Sequence, residues 1–198
     1  MIGSGRIGTL RARLASAHPA VHTIAVSDQN PAAARALAEK VGAQFHGTDH
    51  DEVISRPEVN AVIISTSEGE HVEPLVKAIE LGKRVLVEKP LALTLADADR
   101  IIAAIAKSGA DVRVGYSRRY KDRYLIAKEQ LVQGRIGRPV GGAARVFNSR
   151  SQALAMLGRN PHATPVVDAL TYYVDLMSWF LEGRRVAEVY ARGQMGVL

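Results

Sequence analysis

The sequence lacks several features that mark particular classes of protein. It contains no cysteine, which excludes disulfide bonds, cysteine-ligated zinc and thiol catalysis and fits a reducing, cytoplasmic location. No apolar run approaches the ~20 residues that a membrane span requires, and the first residues show no secretory pattern of basic, apolar and small segments. We therefore expect a globular protein that does not bind membranes.

A concentrated basic surface and a metal-binding pattern are also missing. The net charge is +6, but the basic residues are spread along the chain, with the densest group at 118–123. A nucleic-acid-binding protein would concentrate such charge on one face, so we expect attraction of anionic cofactors or substrates instead. The histidines show no metal-ligand spacing, so we predict no bound metal.

What the sequence does contain begins with a Gly-x-Gly-x-x-Gly turn that starts at Gly3. Gly3 allows a tight turn, Gly5 lets a pyrophosphate approach the backbone, and Gly8 lets the following helix pack closely. Arg6 and Ile7 open that helix, whose free N–H groups attract phosphate. The motif alone is a weak signal, and it predicts a dinucleotide-binding site.

An acid follows at the distance that such a site requires. Residues 21–27 have the pattern of a β-strand that ends at Asp28, twenty residues after Gly8. A carboxylate at this strand end accepts hydrogen bonds from the ribose hydroxyls of adenosine and repels a 2′-phosphate. We therefore predict NAD rather than NADP. The alternative is that Asp28 caps the next helix near Pro31, and the two roles can coexist.

The strand that should precede the glycine turn is almost absent, because only Met1 and Ile2 stand before Gly3. In a doubly wound sheet this strand is central, and without it the neighbouring strand edges lack partners. Three explanations stay open: a start further upstream, a fragment, or a fold that tolerates the gap.

Another strand end carries the candidate active-site cation. Residues 84–88 have the pattern of a buried strand that stops before Pro90, which leaves Glu88 and Lys89 at its carboxyl end. In a parallel sheet ligands bind at this end, and the proline can fix the direction of the lysine before it. The Lys89–Pro90 bond is a candidate cis peptide. We interpret Lys89 as an active-site cation, against the alternative of a solvated lysine in a turn.

A further predicted strand, residues 60–66, ends in the hydroxyl side chains of Ser65 and Thr66, and His71 begins the helix that follows. Because the carboxyl ends of parallel strands share one edge, these side chains should lie beside the glycine turn and the lysine. His71 fits equally a structural role at the helix start and a place near the cofactor.

Strands and helices alternate through residues 1–117, which predicts an α/β domain with a doubly wound parallel sheet. From residue 118 the pattern changes to that of a thin second domain, 118–198, which needs more chain or a partner subunit to close its sheet. Its predicted elements are helices at 119–132 and 164–181, strands at 140–147 and 185–191, and an irregular loop at 148–161.

Several segments together resemble the Gfo/Idh/MocA family (glucose–fructose oxidoreductase, inositol dehydrogenase and MocA). The resemblance covers nearly the whole chain, and its last segment looks especially like inositol dehydrogenases. The segments are GSGRIG at 3–8, Asp28, STSEGEH at 65–71, GKRVLVEKPLALT at 82–94, VGYSRRY at 114–120, GRIGRP at 134–139 and VVDALTYYVDLMSWFLEG at 166–183. The resemblance implies a Rossmann domain followed by an incomplete α+β domain with a mostly antiparallel sheet. It also implies NAD(P)-dependent oxidation or reduction of sugars, inositols and related polyols, often in dimers or tetramers.

The same resemblance implies roles for single residues. Lys89 resembles the catalytic lysine of the family, which bonds the reacting oxygen, and Glu88 matches a position near the nicotinamide end of the cofactor. Asp168 matches the active-site aspartate. Tyr172 stands where many members have the histidine that acts as general acid and base, which is the main chemical departure.

The leading hypothesis is hydride transfer between the nicotinamide and a carbinol carbon, with Tyr172 as the base that removes the hydroxyl proton. A nearby Lys89 ammonium would stabilise the phenolate, and Asp168 would orient the lysine or the substrate. A packed aromatic residue is the alternative for Tyr172. Arg118 is assigned to substrate or phosphate contact, with a solvated surface arginine as an equal alternative.

A second hypothesis is a catalytically inactive, truncated nucleotide-binding fragment of such an enzyme, which the short N-terminus and the thin second domain favour. A third, a DNA-binding protein on the same scaffold, lacks a basic stripe and a recognition helix. We therefore expect a small-molecule substrate, no nucleic acid, and a homo-oligomer if the second domain is complete.

Overall fold

The computed structural model describes residues 1–159 and 164–193, and the chain forms two compact units, Met1–Gly115 and Tyr116–Leu198. The strands are β1 (Ala25–Ser27), β2 (Phe45–Gly47), β3 (Ala61–Ile64), β4 (Arg84–Val87) and β5 (Val112–Val114). The helices are α1 (Arg6–Ser16), α2 (Pro31–Val41), α3 (His50–Ser55), α4 (Val72–Glu80), α5 (Leu95–Ser108), α6 (Asp122–Val132), α7 (Arg150–Arg159) and α8 (Thr171–Phe180).

All strand pairs of the first unit are parallel. β1 pairs with β2, while β3, β4 and β5 pair in that order. The β3–β4 register aligns Ala61 with Arg84 and Ile64 with Val87. A helix lies between successive paired strands because a parallel connection must cross from one end of the sheet to the other. The predicted α/β class is confirmed for this unit.

Met1 and Ile2 take the position of the missing first strand. Ile2 forms parallel bridges to Ser27 of β1 and to Ile64 of β3. These two residues, which we call the stub, therefore join the two-stranded and three-stranded parts into one sheet. The neighbouring strand ends have partners beside the stub, so the predicted gap is closed at the carboxyl edge of the sheet.

Local sequence signals explain where α2 and α5 begin and where α2 ends. In α2 the side chain of Asn30 accepts the first free N–H groups, Pro31 occupies the first turn, and Gly42 ends the helix in the left-handed conformation at φ 65°. In α5 the Thr94 side chain accepts the N–H of Asp97. These caps fix where each helix meets the sheet.

The hydrophobic core of the first unit lies between the sheet and helices α3, α4 and α5. Its fully buried large side chains include Ile2, Ile54, Ile64, Leu75, Ile79 and Ile101. Burial of each such side chain is worth about 1.5–3 kcal/mol. The core therefore holds the strand ends, and the residues that follow them, in fixed positions.

The second unit contains helices and, among its described residues, no β-strand. The strands predicted at 140–147 and 185–191 are therefore wrong, and the described residues form no antiparallel sheet. Val140 and Val189 are exposed, because residues with strand propensity form a ladder only when a partner strand satisfies their backbone groups. The loop predicted at 148–161 is also wrong where α7 forms.

The other helices of the second unit begin differently from the predictions. A 3-10 helix, Ser117–Tyr120, precedes α6, and a π-helix, Val166–Leu170, precedes α8. Each of the predicted helices at 119–132 and 164–181 therefore consists of two helical segments of different type, a 3-10 or π-helix followed by an α-helix. No helix among the described residues is both long and apolar enough to cross a membrane.

Candidate functional site

The carboxyl edge of the sheet in the first unit gathers most of the predicted site residues. They are Gly3 after the stub, Asp28 after β1, Ser65 and Thr66 after β3, and Glu88 and Lys89 after β4. A Cβ atom built on Gly3 would lie 2.6 Å from the Ser65 carbonyl oxygen. The glycine turn therefore contacts the end of β3 directly.

The glycine turn has the shape of a phosphate cradle. Gly3 has φ 91°, a conformation that costs other residues strain, and a Cβ on Gly8 would overlap the Gly3 carbonyl oxygen. A Cβ on Gly5 would meet nothing within 4 Å, and no side chain caps α1. Arg6 and Ile7 form the first turn of α1, so its N–H groups and positive dipole end are available to an anion.

Asp28 is tied to the glycine turn. Its Oδ2 accepts the backbone N–H of Ser4 at 2.6 Å, and its Oδ1 accepts the N–H of Asn30 at 2.9 Å. Asn30 caps α2, so the alternative that Asp28 caps this helix is wrong. The carboxylate lies at the strand end where a ribose would bind, and its bonds to ribose hydroxyls stay a prediction.

Three buried hydroxyls beside the glycine turn have no hydrogen-bond partner among the described residues. They are Ser4 Oγ, Ser65 Oγ and Thr66 Oγ1. An unsatisfied buried polar group costs about 1–3 kcal/mol, so such a cluster is expected where a ligand supplies the missing bonds. The site therefore fits a polar ligand at the edge of β3 and the stub.

His71 is buried, with 1% of its surface exposed. Its Nδ1 lies 2.8 Å from the Pro90 carbonyl oxygen and its Nε2 lies 3.3 Å from the Thr66 carbonyl oxygen. The imidazole thus links the segment after β4 to the segment after β3. These contacts support the structural reading of His71, and a cofactor contact stays a prediction.

Glu88 is held by residues that the sequence analysis missed. Its Oε1 accepts a hydrogen bond from Arg11 Nε at 2.7 Å, and a Cβ on Gly115 would lie 2.8 Å from its Oε2. Arg11 lies one helical turn after Gly8, and Gly115 directly follows β5. Two glycines in the sequence could have indicated this packing around Glu88: Gly8, one turn before Arg11 on α1, and Gly115 at the end of β5.

Lys89 follows Glu88 and is half-buried. The Lys89–Pro90 bond is cis, as suspected from the sequence. The structure thus places the ammonium-bearing residue on the same sheet edge as the glycine turn and Asp28. Its catalytic role stays a prediction, which its place on this edge supports.

In the second unit, the predicted base Tyr172 lies among other aromatic side chains. Tyr172 meets Tyr116 edge to face, with centroids 6.1 Å apart, and the Arg118 guanidinium lies 5.0 Å from the Tyr172 ring and 4.6 Å from the Tyr173 ring. The Tyr116 hydroxyl is 2.9 Å from Thr171 Oγ1. Arg118 is therefore half-buried against two aromatic rings. This contact disagrees with the alternative of a solvated surface arginine.

An ion pair fixes α8 against the 3-10 turn of the same unit. Arg119 Nε donates to Asp175 Oδ2 at 2.8 Å, and a second bond joins the other guanidinium nitrogen to Oδ1. The hydrogen bonds that Arg119 donates to Asp175 raise the pKa of Arg119 above its usual value. Asp168 lies in the π-helix that precedes α8 and is half-buried. No role of Arg119 or Asp175 was predicted from the sequence.

Comparison with known families decides the assignment. A family model described as an oxidoreductase family with an NAD-binding Rossmann fold matches residues 1–116. The chain belongs to the Gfo/Idh/MocA family. This membership confirms the resemblance, the predicted Rossmann fold and NAD as the cofactor of the fold.

Individual Gfo/Idh/MocA relatives extend the similarity into the second unit. Myo-inositol 2-dehydrogenase of Thermotoga maritima is 30% identical over 98% of this chain and 58% of its own length. Inositol 2-dehydrogenase of Salmonella typhimurium is 33% identical over 96% of this chain and 56% of its own length. The chain therefore spans a little over half the length of these relatives.

A solved Gfo/Idh/MocA structure shows the same architecture. The crystal structure of myo-inositol dehydrogenase from Lactobacillus casei in complex with NAD(H) and myo-inositol has a TM-score of 0.74. It is 26% identical, and the match covers 96% of this chain and 58% of that one. The cradle at Gly3, the open helix start and the unpaired hydroxyls agree with a dinucleotide at this edge.

Proposed function

We propose that the chain is the cofactor-binding part, with a portion of the substrate-binding part, of an NAD-dependent dehydrogenase that acts on a secondary hydroxyl of an inositol or related polyol. One observation carries the proposal: Lys89 follows β4 on the same edge that bears the glycine cradle. The names of the relatives supply the substrate class. A cytoplasmic location and a homo-oligomer remain predictions within this proposal.

The first unit provides the groups that hold the dinucleotide. Backbone N–H groups at the start of α1 take the pyrophosphate, and Asp28 accepts the ribose hydroxyls of adenosine. Ser65 and Thr66 supply hydroxyls along the edge of the cofactor. NAD held by these residues would supply the acceptor for a hydride from the substrate carbon.

The oxidised hydroxyl must lose its proton as the hydride leaves. The Lys89 ammonium bonds the reacting oxygen and stabilises its developing negative charge. Tyr172 is the proposed base, and Asp168 is proposed to orient the reacting groups. Arg118 holds the Tyr172 ring from one side, which limits its rotation.

The direct test measures formation of NADH by the purified chain with a panel of inositols and hexoses. We expect NAD-dependent turnover that Lys89→Met abolishes while NAD affinity stays within about twofold, because the lysine bonds the substrate oxygen and not the phosphates. Lys89→Arg is the matched control that keeps the charge. Wild-type turnover in Lys89→Met would remove the lysine from the reaction.

A nucleotide-binding protein without turnover is the second candidate. It is favoured because the described residues of the second unit form no β-sheet, and the substrate pocket of the family is expected to lie against such a sheet. Equilibrium binding of NAD, measured by calorimetry beside the assay for NADH formation, separates the two candidates. Tight NAD binding without NADH formation on any polyol would select the second one.

A further inference from the structure

Arg11 and Glu88 form an ion pair that joins α1 to the end of β4. Arg11 Nε donates to Glu88 Oε1 at 2.7 Å, and Arg11 Nη2 lies 2.7 Å from the same oxygen. The Arg11 side chain is 24% exposed and the Glu88 side chain is 13% exposed. Both charged groups are therefore largely withdrawn from water, where charges interact more strongly than on an open surface.

The surroundings of Glu88 leave its carboxylate few other positions. The Glu88 N–H donates to the Ile64 carbonyl at 2.9 Å, which holds the residue in the ladder with β3. On the other side, the Gly115 N–H donates to the Val87 carbonyl at 2.7 Å. A Cβ on Gly115 would lie 2.8 Å from Glu88 Oε2, so the carboxylate occupies space that only a glycine leaves at the end of β5.

Arg11 belongs to the helix that begins at the glycine cradle. Arg6 is the first residue of α1, so the Arg11 Cα lies about 7.5 Å along the helix axis from this start. Side chains of an α-helix lean toward its N-terminus, which brings the guanidinium nearer to the free N–H groups. The Glu88 carboxylate, bonded to that guanidinium, therefore lies close to the end of α1 that the pyrophosphate is expected to contact.

A single carboxylate at such a distance affects the binding of an anion. Two like charges about 8 Å apart repel each other enough to change a dissociation constant by roughly 30-fold at an effective dielectric constant of about 20, and by roughly twofold in bulk water. The largely withdrawn carboxylate of Glu88 lies between these limits. Arg11 offsets its charge, because the pair as a whole is neutral.

We propose that Arg11 is a positioning residue for the cofactor: it holds Glu88 against the end of β5 and cancels the charge that this carboxylate would otherwise direct at the pyrophosphate. The inference rests on the proposed place of the dinucleotide at this edge. An acid beside Lys89 is compatible with an anion-binding edge because α1, the helix of the cradle, supplies its counter-charge.

The test measures binding of NADH to the full 198-residue chain by fluorescence titration at low ionic strength. NADH is the probe because its pyrophosphate is anionic and its nicotinamide ring is neutral. Arg11→Met leaves the Glu88 carboxylate unpaired and should weaken binding by about 3–30-fold. Glu88→Gln leaves the guanidinium unpaired and should bind NADH at least as tightly as the unaltered chain. The double variant should recover most of the affinity that Arg11→Met loses, because the pair is again neutral.

Two control variants separate the charge of the pair from other effects. Arg13→Met removes a cation from an exposed position of the same helix and should change NADH affinity by less than about twofold, because water and salt screen this charge. Arg11→Lys keeps the charge and should stay within about threefold of the unaltered chain. The deficit of Arg11→Met should shrink between about 0.02 M and about 0.5 M salt, since ions screen the repulsion.

A purely structural role of the pair predicts another pattern. If the pair only holds α1 against β4, both single substitutions weaken NADH binding and the double substitution does not restore it. That pattern, or equal affinity of Arg11→Met and the unaltered chain, would overturn the inference. If Arg11→Met does not fold, Glu88→Gln decides, because weaker binding by this variant contradicts charge cancellation. No binding of NADH by the unaltered chain would remove the proposed function itself, and the inference with it.

Discussion

The two units of the chain differ in what holds them together. The first unit buries two apolar clusters against a parallel sheet, whereas Met156 and Leu176 are the buried apolar side chains among the described residues of the second unit. The second unit relies instead on charged and aromatic contacts, such as the Arg119–Asp175 pair and the position of Arg119 over Trp179. Apolar burial supplies far more free energy than such contacts.

This difference matches a division of tasks. A cofactor cradle needs backbone groups in fixed positions, which a dense core provides. The second unit exposes Phe147 and Tyr190, large apolar side chains of the kind that other protein surface covers.

Tyr172→Phe should separate turnover from cofactor binding. Loss of the proposed base should lower kcat by about 10²–10⁴-fold, the usual contribution of general base catalysis, while the affinity for NAD stays unchanged. Tyr173→Phe is the matched control, because Arg118 contacts both rings. Unchanged kcat in Tyr172→Phe would make this tyrosine a packing residue.

Ile64→Ala should destabilise the first unit by about 2–5 kcal/mol, because the side chain is fully buried and its removal leaves a cavity. Ile126→Ala, at a side chain that is 57% exposed in the second unit, should change the free energy of unfolding by less than about 0.5 kcal/mol. Urea unfolding measures both. Equal losses would contradict the contrast between the units.

The Met1 amino group should make the first unit less stable at mildly acidic pH. Its pKa is about 5 in the folded chain against 8.0 for the unfolded chain, so between these values the unfolded chain binds a proton that the folded chain does not. The free energy of unfolding should therefore fall as the pH falls from 8, by about 2 kcal/mol at pH 6.

N-terminal acetylation supplies the control for this pH dependence. Acetylation removes the titrating amine and leaves His22 and Glu58, the titratable side chains that line the cavity next to Met1. The acetylated chain should lose the part of the slope between pH 6 and 8 that belongs to the amine. An identical slope in both forms would assign the dependence to other groups.

Asp175→Asn should have the smallest effect, a loss of about 1–2 kcal/mol confined to the second unit. The substitution removes the charge that pairs with Arg119, and Asp175 is 7% exposed, but the partly exposed guanidinium keeps access to water. Hydrogen exchange of α8 measures the effect. Faster exchange in β3 or β4 would show that the pair also supports the first unit.

The sequence predicted the elements whose signals are local. The glycine turn at Gly3 and the strand end at Lys89 each depend on a few neighbouring residues, and each lies where it was predicted. β2 was missed because its three residues, Phe45 to Gly47, include a polar side chain and a glycine. Its pairing comes from β1, which its own residues do not reveal.

Non-local contacts explain the remaining errors. The Arg11–Glu88 bond joins residues that are 77 positions apart, and no local pattern predicts such a pair. The strands predicted at 140–147 and 185–191 had suitable residues, but strand formation depends on a partner that the described residues do not supply. Sequence reasoning was thus most reliable where a residue acts on its immediate neighbours.

The position of His71 has a mechanical consequence. Its two ring nitrogens meet carbonyls of the segments that follow β3 and β4, so while both contacts last neither segment can swing outward alone. Displacement of either segment should therefore disturb the other, which couples the hydroxyl-bearing end of β3 to the strand end that carries Lys89.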